Sequence, residues 1–407
     1  MSSDAGKFRF VVDGLERENG RTRLKLTISD GEFKKSLWYS TADAEMAPRN
    51  EALLCLGLLP AYKTGRDLAL EGSVDQQILE SLPTIQDIYC SWNPAFRRVA
   101  ISGATPGQSV PISPAKGGVA TFFTGGLDSF YTLLKHRDEI THIIFIHGID
   151  VGLRDERLRA QVTEMLHRVG QHFGVQPIEI EANLRGFFEG FDLDWGSHAF
   201  GPGLIATAFL LSSQLRKVYL PSSFTYAELM PWGSHCLLDP KWSAADLEIV
   251  HDGCEATRVQ KAAKVATSDV ALQSLRVCFH NVNSAYNCGQ CDKCLRTMIN
   301  FAAVGASSRL VTFPNQIDMK LVKRMDVLSD AERAFIRENL LALKDVPEAR
   351  ELHDELRKIY DRPVWRAKIK HQVQRRIRVW KRSVRRRLGL EERFVHYQLG
   401  GNDYADK

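Results

Sequence analysis

The feature that most constrains this chain is a short apolar run that passes at once through glycines into a helix. Residues 119–123 are apolar and β-rich, as is typical of a buried strand. Gly125 and Gly126 interrupt the run, and Asp128 and Ser129 open a helical pattern. Such a turn presents several backbone N–H groups at one point, and the helix dipole adds partial positive charge there. The stretch therefore predicts a phosphate-binding loop.

The loop differs from the two best-known phosphate loops, because neither Gly-x-x-x-x-Gly-Lys-Ser/Thr nor Gly-x-Gly-x-x-Gly stands here. It reads Thr124-Gly125-Gly126-Leu127-Asp128-Ser129. This hexapeptide resembles the Ser-Gly-Gly-x-Asp-Ser loop of the PP-loop ATP pyrophosphatases, with Thr124 in place of the first Ser. The resemblance implies that these residues bind the pyrophosphate end of ATP, which the family splits into AMP and pyrophosphate. The alternative is a glycine-rich turn that merely begins a helix, capped by Asp128 or Ser129.

From residue 117 onward, strand and helix patterns alternate, which predicts an α/β fold with a parallel sheet covered by helices. Ligands of such sheets lie beyond the carboxyl ends of the strands. This rule gathers residues 124–129, 147–150, 183–185 and 222–228 around one crevice. In the PP-loop family the end of the second strand receives the adenosine, so the resemblance makes His147 a candidate, mainly through backbone atoms. His147 can equally be an ordinary residue at a strand end.

Four cysteines crowd into seventeen residues. They follow the spacing Cys278-x9-Cys288-x2-Cys291-x2-Cys294. Four thiolates match a tetrahedral Zn²⁺ ion with bonds of about 2.3 Å, and Gly289 supplies the tight turn of a metal knuckle. Iron–sulfur ligation stays open, because four cysteines can hold either. A closed four-sulfur site has no open position from which to activate water, so we expect a structural site.

Residues 257–261, Val277-Cys278 and 287–296 together resemble the end of 7-cyano-7-deazaguanine synthase, which pairs the same phosphate loop with a four-cysteine zinc site. The resemblance implies that ATP adenylates a carboxylate and that ammonia attacks the acyl-adenylate. Asp128 would then orient the loop or help hold Mg²⁺, and Ser129 would bond a phosphate oxygen. Lys261 and Arg258 could reach phosphate as well. For these two basic residues, a solvated helix face is the alternative.

The resemblance covers residues 117–300, and the family's Tyr-Pro-Asp-Cys-Arg substrate loop is absent; residues 230–236 occupy its place. We therefore expect adenylation of a carboxylate or carbonyl oxygen of an unknown substrate, followed by attack of ammonia or an amine. A tRNA-modifying PP-loop enzyme and a nucleotide-binding module without turnover are the alternatives. The tetrapeptide Trp-Gly-Ser-His occurs at residues 195–198 and 232–235, which fits either a substrate pocket or chance recurrence.

The 407 residues suggest several domains. We expect a β-rich N-terminal domain over 1–112, an ATP-binding domain with the cysteine knuckle over 113–310, a helical extension over 311–362 and a basic amphipathic tail over 363–407. The first residues lack the apolar core of a signal peptide, so a cytoplasmic protein is expected.

Residues 364–387 contain eleven Lys or Arg and no Asp or Glu, so the rest of this +5 chain is net negative. Apolar residues recur there at helical spacing: Trp365, Ile369, Val373, Ile377, Trp380 and Val384. Such a helix can lie on an anionic membrane, bind an acidic protein, contact RNA or dock on its own protein. A membrane-bound tail would make the protein peripheral to the membrane. The oligomeric state is left open.

Overall fold

The computed structural model describes residues 6–107, 117–327 and 330–365, together with Ile369, Val373 and Ile377. The chain divides into two compact units, the first ending at Glu255 and the second beginning at Ala256.

The first unit is an α/β structure built on one sheet of ten strands. The strands are β1 (Phe8–Glu18), β2 (Arg21–Ser29), β3 (Lys34–Thr41), β4 (Leu68–Asp75), β5 (Ile101–Gly107), β6 (Gly118–Phe122), β7 (His142–His147), β8 (Gln176–Ala182), β9 (Leu215–Pro221) and β10 (Glu248–Asp252). The helices are α1 (Asn50–Thr64), α2 (Gln76–Trp92), α3 (Leu127–Lys135), α4 (Glu156–Phe173), α5 (Leu184–Glu189) and α6 (Phe200–Leu210). The strand order is β10-β9-β6-β7-β8-β3-β2-β1-β4-β5.

The half of the sheet formed by β6 to β10 is parallel throughout, as the alternating strand and helix pattern predicts. The chain runs from β6 outward through β7 and β8, then returns to add β9 and β10 on the other side of β6. The loops after β6 and β9 therefore leave the sheet in opposite directions. In doubly wound sheets this topological switch point is where ligands bind.

The N-terminal segment does not form a domain of its own, so the expected boundary at residue 112 is wrong. Strand β3 pairs antiparallel with β8, with Tyr39 opposite Ala182, and thereby extends the parallel half of the sheet. Residues 51–62 of α1 are all buried, and this helix packs against α6. The buried side chains of Leu26 and Leu56 belong to the same hydrophobic core as that of Ile144.

The second unit is helical. Its helices are α7 (Arg258–Val265), α8 (Asp269–Ser274), α9 (Asp292–Ala303), α10 (Met319–Arg324), α11 (Asp330–Leu343) and α12 (Arg350–Asp361). Leu295 and Ile299 of the knuckle helix α9 share a core with Ile336 of α11 and Leu356 of α12. The knuckle therefore packs with the helical extension, and the expected division at residue 310 falls at residue 255 instead, because the apolar face of α9 is covered by α11 and α12.

Most of the basic tail, including Trp380 and Val384, lies outside the described residues. The four of its apolar residues that are described are helical and about half exposed: Trp365, Ile369, Val373 and Ile377. Among the helices that are described, none combines the length and the apolar character that crossing a membrane requires.

Candidate functional site

The predicted loop is a strand–turn–helix connection at the centre of the parallel half of the sheet. Gly125 has a φ of +72°, a left-handed conformation that favours glycine. The Ser129 hydroxyl donates a hydrogen bond to the Gly126 carbonyl at 3.0 Å, which tightens the first turn of α3. In the described structure no side chain caps that turn, as is common where a helix start binds an anion. Thr124 is exposed and Leu127 is buried.

Asp128 links the loop to the neighbouring strand across the switch point. The Ser223 hydroxyl, just after β9, donates to Asp128 Oδ2 at 2.9 Å. One oxygen of this half-buried carboxylate is thus held by β9. The sequence rule gathered four segments around one crevice, and this contact brings together two of them, residues 124–129 and 222–228.

Strand β10 fixes α3 through a buried carboxylate that the sequence analysis missed. Asp252 accepts hydrogen bonds from Thr132 Oγ1 at 2.7 Å, Lys135 Nζ at 2.8 Å and His136 Nε2 at 2.9 Å. Burial would raise the pKa of Asp252, but these donors outweigh it and hold that pKa below its usual value. Glu255 continues the contact, since its Oε1 accepts from Lys135 Nζ at 2.6 Å. The helix that follows the loop is therefore anchored electrostatically.

His147 is the last residue of β7, as expected, but its side chain contacts Glu179 of β8. Its Nε2 lies 2.9 Å from Glu179 Oε2, to which Thr163 of α4 also donates at 2.7 Å. His147 is 2% exposed, and its Nδ1 has no hydrogen-bond partner among the described residues. A cavity of about 350 Å³ adjoins this cluster, lined also by Arg21, Asp43, Glu156, Arg159 and Glu181. The adenosine role of the His147 backbone stays a prediction.

Lys261 and Arg258 lie on α7 of the second unit, whereas the loop belongs to the first. Lys261 is fully buried and Arg258 is 7% exposed, so the solvated-face alternative is wrong for both. The Arg258 guanidinium lies 5.8 Å from the ring centre of Phe335, and its backbone N–H donates to Glu338 Oε2 at 2.9 Å. A role toward phosphate stays a prediction for both residues.

The four clustered cysteines converge as their spacing predicts. The sulfur ligand atoms of Cys278, Cys288, Cys291 and Cys294 all lie within 4.8 Å of one another. Two of the separations are 4.0 Å, from Cys278 Sγ to Cys291 Sγ, and 3.9 Å, from Cys288 Sγ to Cys294 Sγ. Zinc–sulfur bonds of about 2.3 Å at tetrahedral angles place sulfurs about 3.8 Å apart, so the cluster could hold a metal ion such as zinc.

Local backbone geometry builds this cluster. Gly289 has a φ of +67°, and a Cβ there would lie 2.4 Å from a ring carbon of Pro314. The turn lets the backbone N–H of Cys291 donate to Cys288 Sγ at 3.3 Å. Cys291 then caps α9, because its sulfur accepts from the Cys294 N–H at 3.4 Å. N–H donors directed at sulfur stabilise thiolates, which are the form that binds a metal.

The repeated Trp-Gly-Ser-His loops pack against each other. The Gly233 N–H donates to the Gly196 carbonyl at 3.0 Å, and the Gly201 N–H donates to the Gly233 carbonyl at 3.0 Å. A Cβ on Gly233 would lie 2.7 Å from the Gly196 oxygen. The two glycines thus permit a close backbone contact, which gives the recurrence a structural reason.

No protein-family model, curated protein or solved structure matches this chain. We therefore infer the function of the protein from the sequence motifs and from the geometry of the sites.

Proposed function

We propose that this protein is a PP-loop ATP pyrophosphatase-type ligase, a divergent relative of 7-cyano-7-deazaguanine synthase. It adenylates a carboxylate or carbonyl oxygen with ATP and releases pyrophosphate. Ammonia or an amine then attacks the adenylate to form a carbon–nitrogen bond. The observation that carries the proposal is the hexapeptide at residues 124–129, which lies at the switch point of the parallel strands.

The geometry of the loop supports the binding of a triphosphate. The turn and the uncapped start of α3 offer backbone N–H groups and a positive helix end to the phosphates. Asp128, held by Ser223, would orient the loop or help hold Mg²⁺. Ser129 would bond a phosphate oxygen once its hydroxyl leaves the Gly126 carbonyl. Fixed donors of this kind stabilise the charge that develops on the phosphates during adenylation.

The cysteine cluster supports a structural role for zinc in the same proposal. Its four sulfurs leave no position for a water ligand, and Cys278, Cys291 and Cys294 are buried. A zinc ion bound there would supply folding free energy to the second unit rather than a nucleophile.

The test is release of pyrophosphate from ATP·Mg²⁺ by the full-length protein. We expect little release from the protein alone and stimulation by either a small-metabolite extract or a macromolecular extract. The responsive extract identifies the substrate class. Asp128→Asn should abolish the stimulated release, because it removes the charge without changing the shape of the side chain.

Asp138→Ala is the matched control, since the Asp138 side chain is fully exposed and its nearest ion-pair partner is Arg137 at 4.0 Å. The control should release pyrophosphate at the wild-type rate. Stimulated release that survives Asp128→Asn would refute the assigned role of the loop. Tight ATP binding with no release in any extract would favour the nucleotide-binding module instead.

A further inference from the structure

The cavity of about 350 Å³ beside β8 is lined by two buried polar atoms that lack a hydrogen-bond partner. One is Nδ1 of His147, a residue that is 2% exposed and whose Nε2 lies 2.9 Å from Glu179 Oε2. The other is Nε of Arg159, on α4. Neither atom has a partner in the part of the chain that the structure describes, and buried polar atoms left in this state are costly. A ligand in the cavity would satisfy both.

The two atoms require opposite partners. Burial would raise the pKa of Glu179, but the hydrogen bonds from His147 and Thr163 hold that pKa below its usual value. The ionised carboxylate only accepts, so the imidazole proton in this contact is on Nε2, and Nδ1 of the neutral ring is an acceptor. The Nε–H of Arg159 is a donor. The ligand therefore presents a donor to His147 and an acceptor to Arg159.

The charges around the cavity favour a cation as that donor. Four carboxylates line it against two guanidinium groups, belonging to Asp43, Glu156, Glu179, Glu181, Arg21 and Arg159. Both guanidinium groups already donate to Glu181 Oε1, from Arg159 Nη2 at 2.6 Å and from Arg21 Nη2 at 3.2 Å. The remaining carboxylates are in excess, and a cleft lined by one sign of charge attracts ligands of the other sign.

Spacing and size indicate that this cation is an organic amine. Metal ligands must converge on one point, and within the described ranges of the chain only the four clustered cysteines bring three or more such ligand atoms together. Ammonia is about the size of a water molecule, which occupies about 30 Å³, so it would leave most of the cavity unfilled. An amine with a carbon chain fills more of the space, and an oxygen on that chain would accept from Arg159.

The cavity is next to the phosphate loop in the sheet. Strands β6 and β7 are adjacent and parallel, with Phe122 opposite Ile144. His147 ends β7 three residues after Ile144, and Gly125 lies three residues after Phe122, so both are at the same level of neighbouring strands. Ligands of such sheets bind at this carboxyl edge. A molecule bound beside His147 is therefore one strand away from the loop that would hold the adenylate.

We propose that this cavity binds the nitrogen nucleophile of the ligase, and that the nucleophile is a primary amine bearing an oxygen acceptor, as in an amino acid or an amino alcohol. Its ammonium group donates to His147 Nδ1 among the surrounding carboxylates, and its oxygen accepts from Arg159 Nε. The role as nucleophile rests on the proposed adenylation, whereas binding of the amine does not. Arg21 and Asp43 give the N-terminal strands a part in this site.

The transfer balances without an oxidant or reductant. The bound ammonium gives one proton to His147 Nδ1, and the free amine attacks the adenylated carbon. A carbon–nitrogen bond forms, the bond between that carbon and the phosphate-linked oxygen breaks, and AMP leaves with the electron pair. The nitrogen then loses a second proton to water, and His147 returns its proton to solvent.

The test is calorimetry on the full-length protein at pH 7 without ATP, where simple amines are protonated. The probes are L-alanine, L-alaninol, isopropylamine, propanoate and ammonium chloride. L-Alanine or L-alaninol should bind at least tenfold more tightly than isopropylamine, which lacks the oxygen, and than propanoate, which lacks the amine. Ammonium should bind at least tenfold more weakly as well. The tighter of the first two probes shows whether Arg159 meets a carboxylate or a hydroxyl.

Two variants connect this binding to the cavity. His147→Gln keeps an N–H donor for Glu179 but lacks Nδ1, so it should weaken binding of the preferred probe at least tenfold; His172→Gln, exposed at the end of α4, should not. Glu156→Gln removes an exposed charge of the lining and should weaken binding about threefold, whereas Glu164→Gln, 74% exposed on the same helix, should leave it unchanged. Circular dichroism checks folding, and Glu156→Gln decides if His147→Gln does not fold.

The outcomes separate this site from the proposed adenylation. No binding of L-alanine or L-alaninol, equal binding of propanoate or isopropylamine, or unchanged affinity in the folded cavity variants would overturn the amine site. Pyrophosphate release from ATP without any amine binding would overturn the site and leave the adenylation standing. Amine binding without pyrophosphate release in any extract would refute the adenylation, and with it the role of the amine as nucleophile, while the amine site stands.

Discussion

Replacement of Asp252 by Ala tests whether β10 anchors the helix that follows the phosphate loop. The Asp252 carboxylate is 6% exposed and accepts three hydrogen bonds from residues of α3 and from His136. Hydrogen bonds to a charged group contribute about 1.5 kcal/mol each, and breaking a buried pair costs about 3–5 kcal/mol. Lys135 keeps Glu255 at 2.6 Å, so it is not left unpaired. We therefore expect Asp252→Ala to lower the free energy of unfolding by about 3 kcal/mol, near the lower limit of the cost of breaking a buried pair.

Such a loss raises the unfolding equilibrium constant about a hundredfold, since about 1.4 kcal/mol is a factor of ten. Urea unfolding followed by circular dichroism and tryptophan fluorescence measures it as a lower midpoint at unchanged slope. Asp138→Ala, at a fully exposed carboxylate, should change stability by less than about 0.5 kcal/mol. A decrease of less than about 1 kcal/mol in the free energy of unfolding for Asp252→Ala would show that Asp252 does not anchor α3.

The anchor also has a pH dependence with a definite sign. Lys135, His136 and Thr132 hold the pKa of Asp252 below its usual value of 3.8. A carboxyl group with a lowered pKa in the folded state contributes stability above its unfolded pKa. We therefore expect that contribution to be complete at neutral pH and to be lost as the pH falls below about 4. The Asp252→Ala variant should lack this part of the acid transition.

Three further predictions address the loop, the cysteine cluster and the tail. Gly125→Ala should weaken ATP binding, measured by calorimetry, more than tenfold. Gly174→Ala, after α4, has a similar φ of +70° and should only reduce the free energy of unfolding by about 1 kcal/mol. Equal ATP affinity in both variants would contradict the assignment of the phosphate loop. Cys291→Ser should remove the bound zinc measured by elemental analysis, whereas Cys90→Ser, outside the cluster, should retain it. A wild-type protein without zinc but with an iron–sulfur absorption spectrum would show that the cluster holds iron and sulfur instead. Binding of the full chain to anionic vesicles or to RNA should require residues 364–387 and should weaken steeply as the salt concentration rises. Equal binding after deletion of these residues would show that the tail does not contact the vesicle or the RNA.

Local sequence signals predicted the parts of the molecule that local chemistry determines. The turn at Gly125 requires a left-handed residue, and the cysteine spacing requires a tight turn at Gly289, so each pattern is visible within a few residues. The strands β6, β7 and β8 are short buried runs, and their order follows from the alternation with helices.

The features that the sequence did not predict depend on contacts between distant residues. The pairing of Tyr39 with Ala182 joins segments that lie far apart in the chain, and an alternating apolar pattern does not specify a partner strand. Strand β10 is not evident from the sequence, because its five residues include the polar residues Glu248, His251 and Asp252. The contacts of Asp252 with α3 and with His136 could not be predicted for the same reason.

The predicted domain boundary at residue 112 was wrong for a similar reason, since it too depends on contacts between distant residues. Composition changes near residue 112, from a β-rich segment to alternating strand and helix, and this change suggested a domain boundary. Leu26 and Ile144 nevertheless share one core, because β3 completes an edge that β8 would otherwise leave exposed.

The most direct test of the proposed adenylation identifies which bond of ATP is broken. The full-length protein is incubated with Mg²⁺ and the stimulating extract, using ATP labelled in parallel at the α-phosphate and at the γ-phosphate. We predict that the α-label appears in AMP and the γ-label in pyrophosphate, and that both products are lost in Asp128→Asn. Recovery of the α-label in ADP and of the γ-label in phosphate would contradict it.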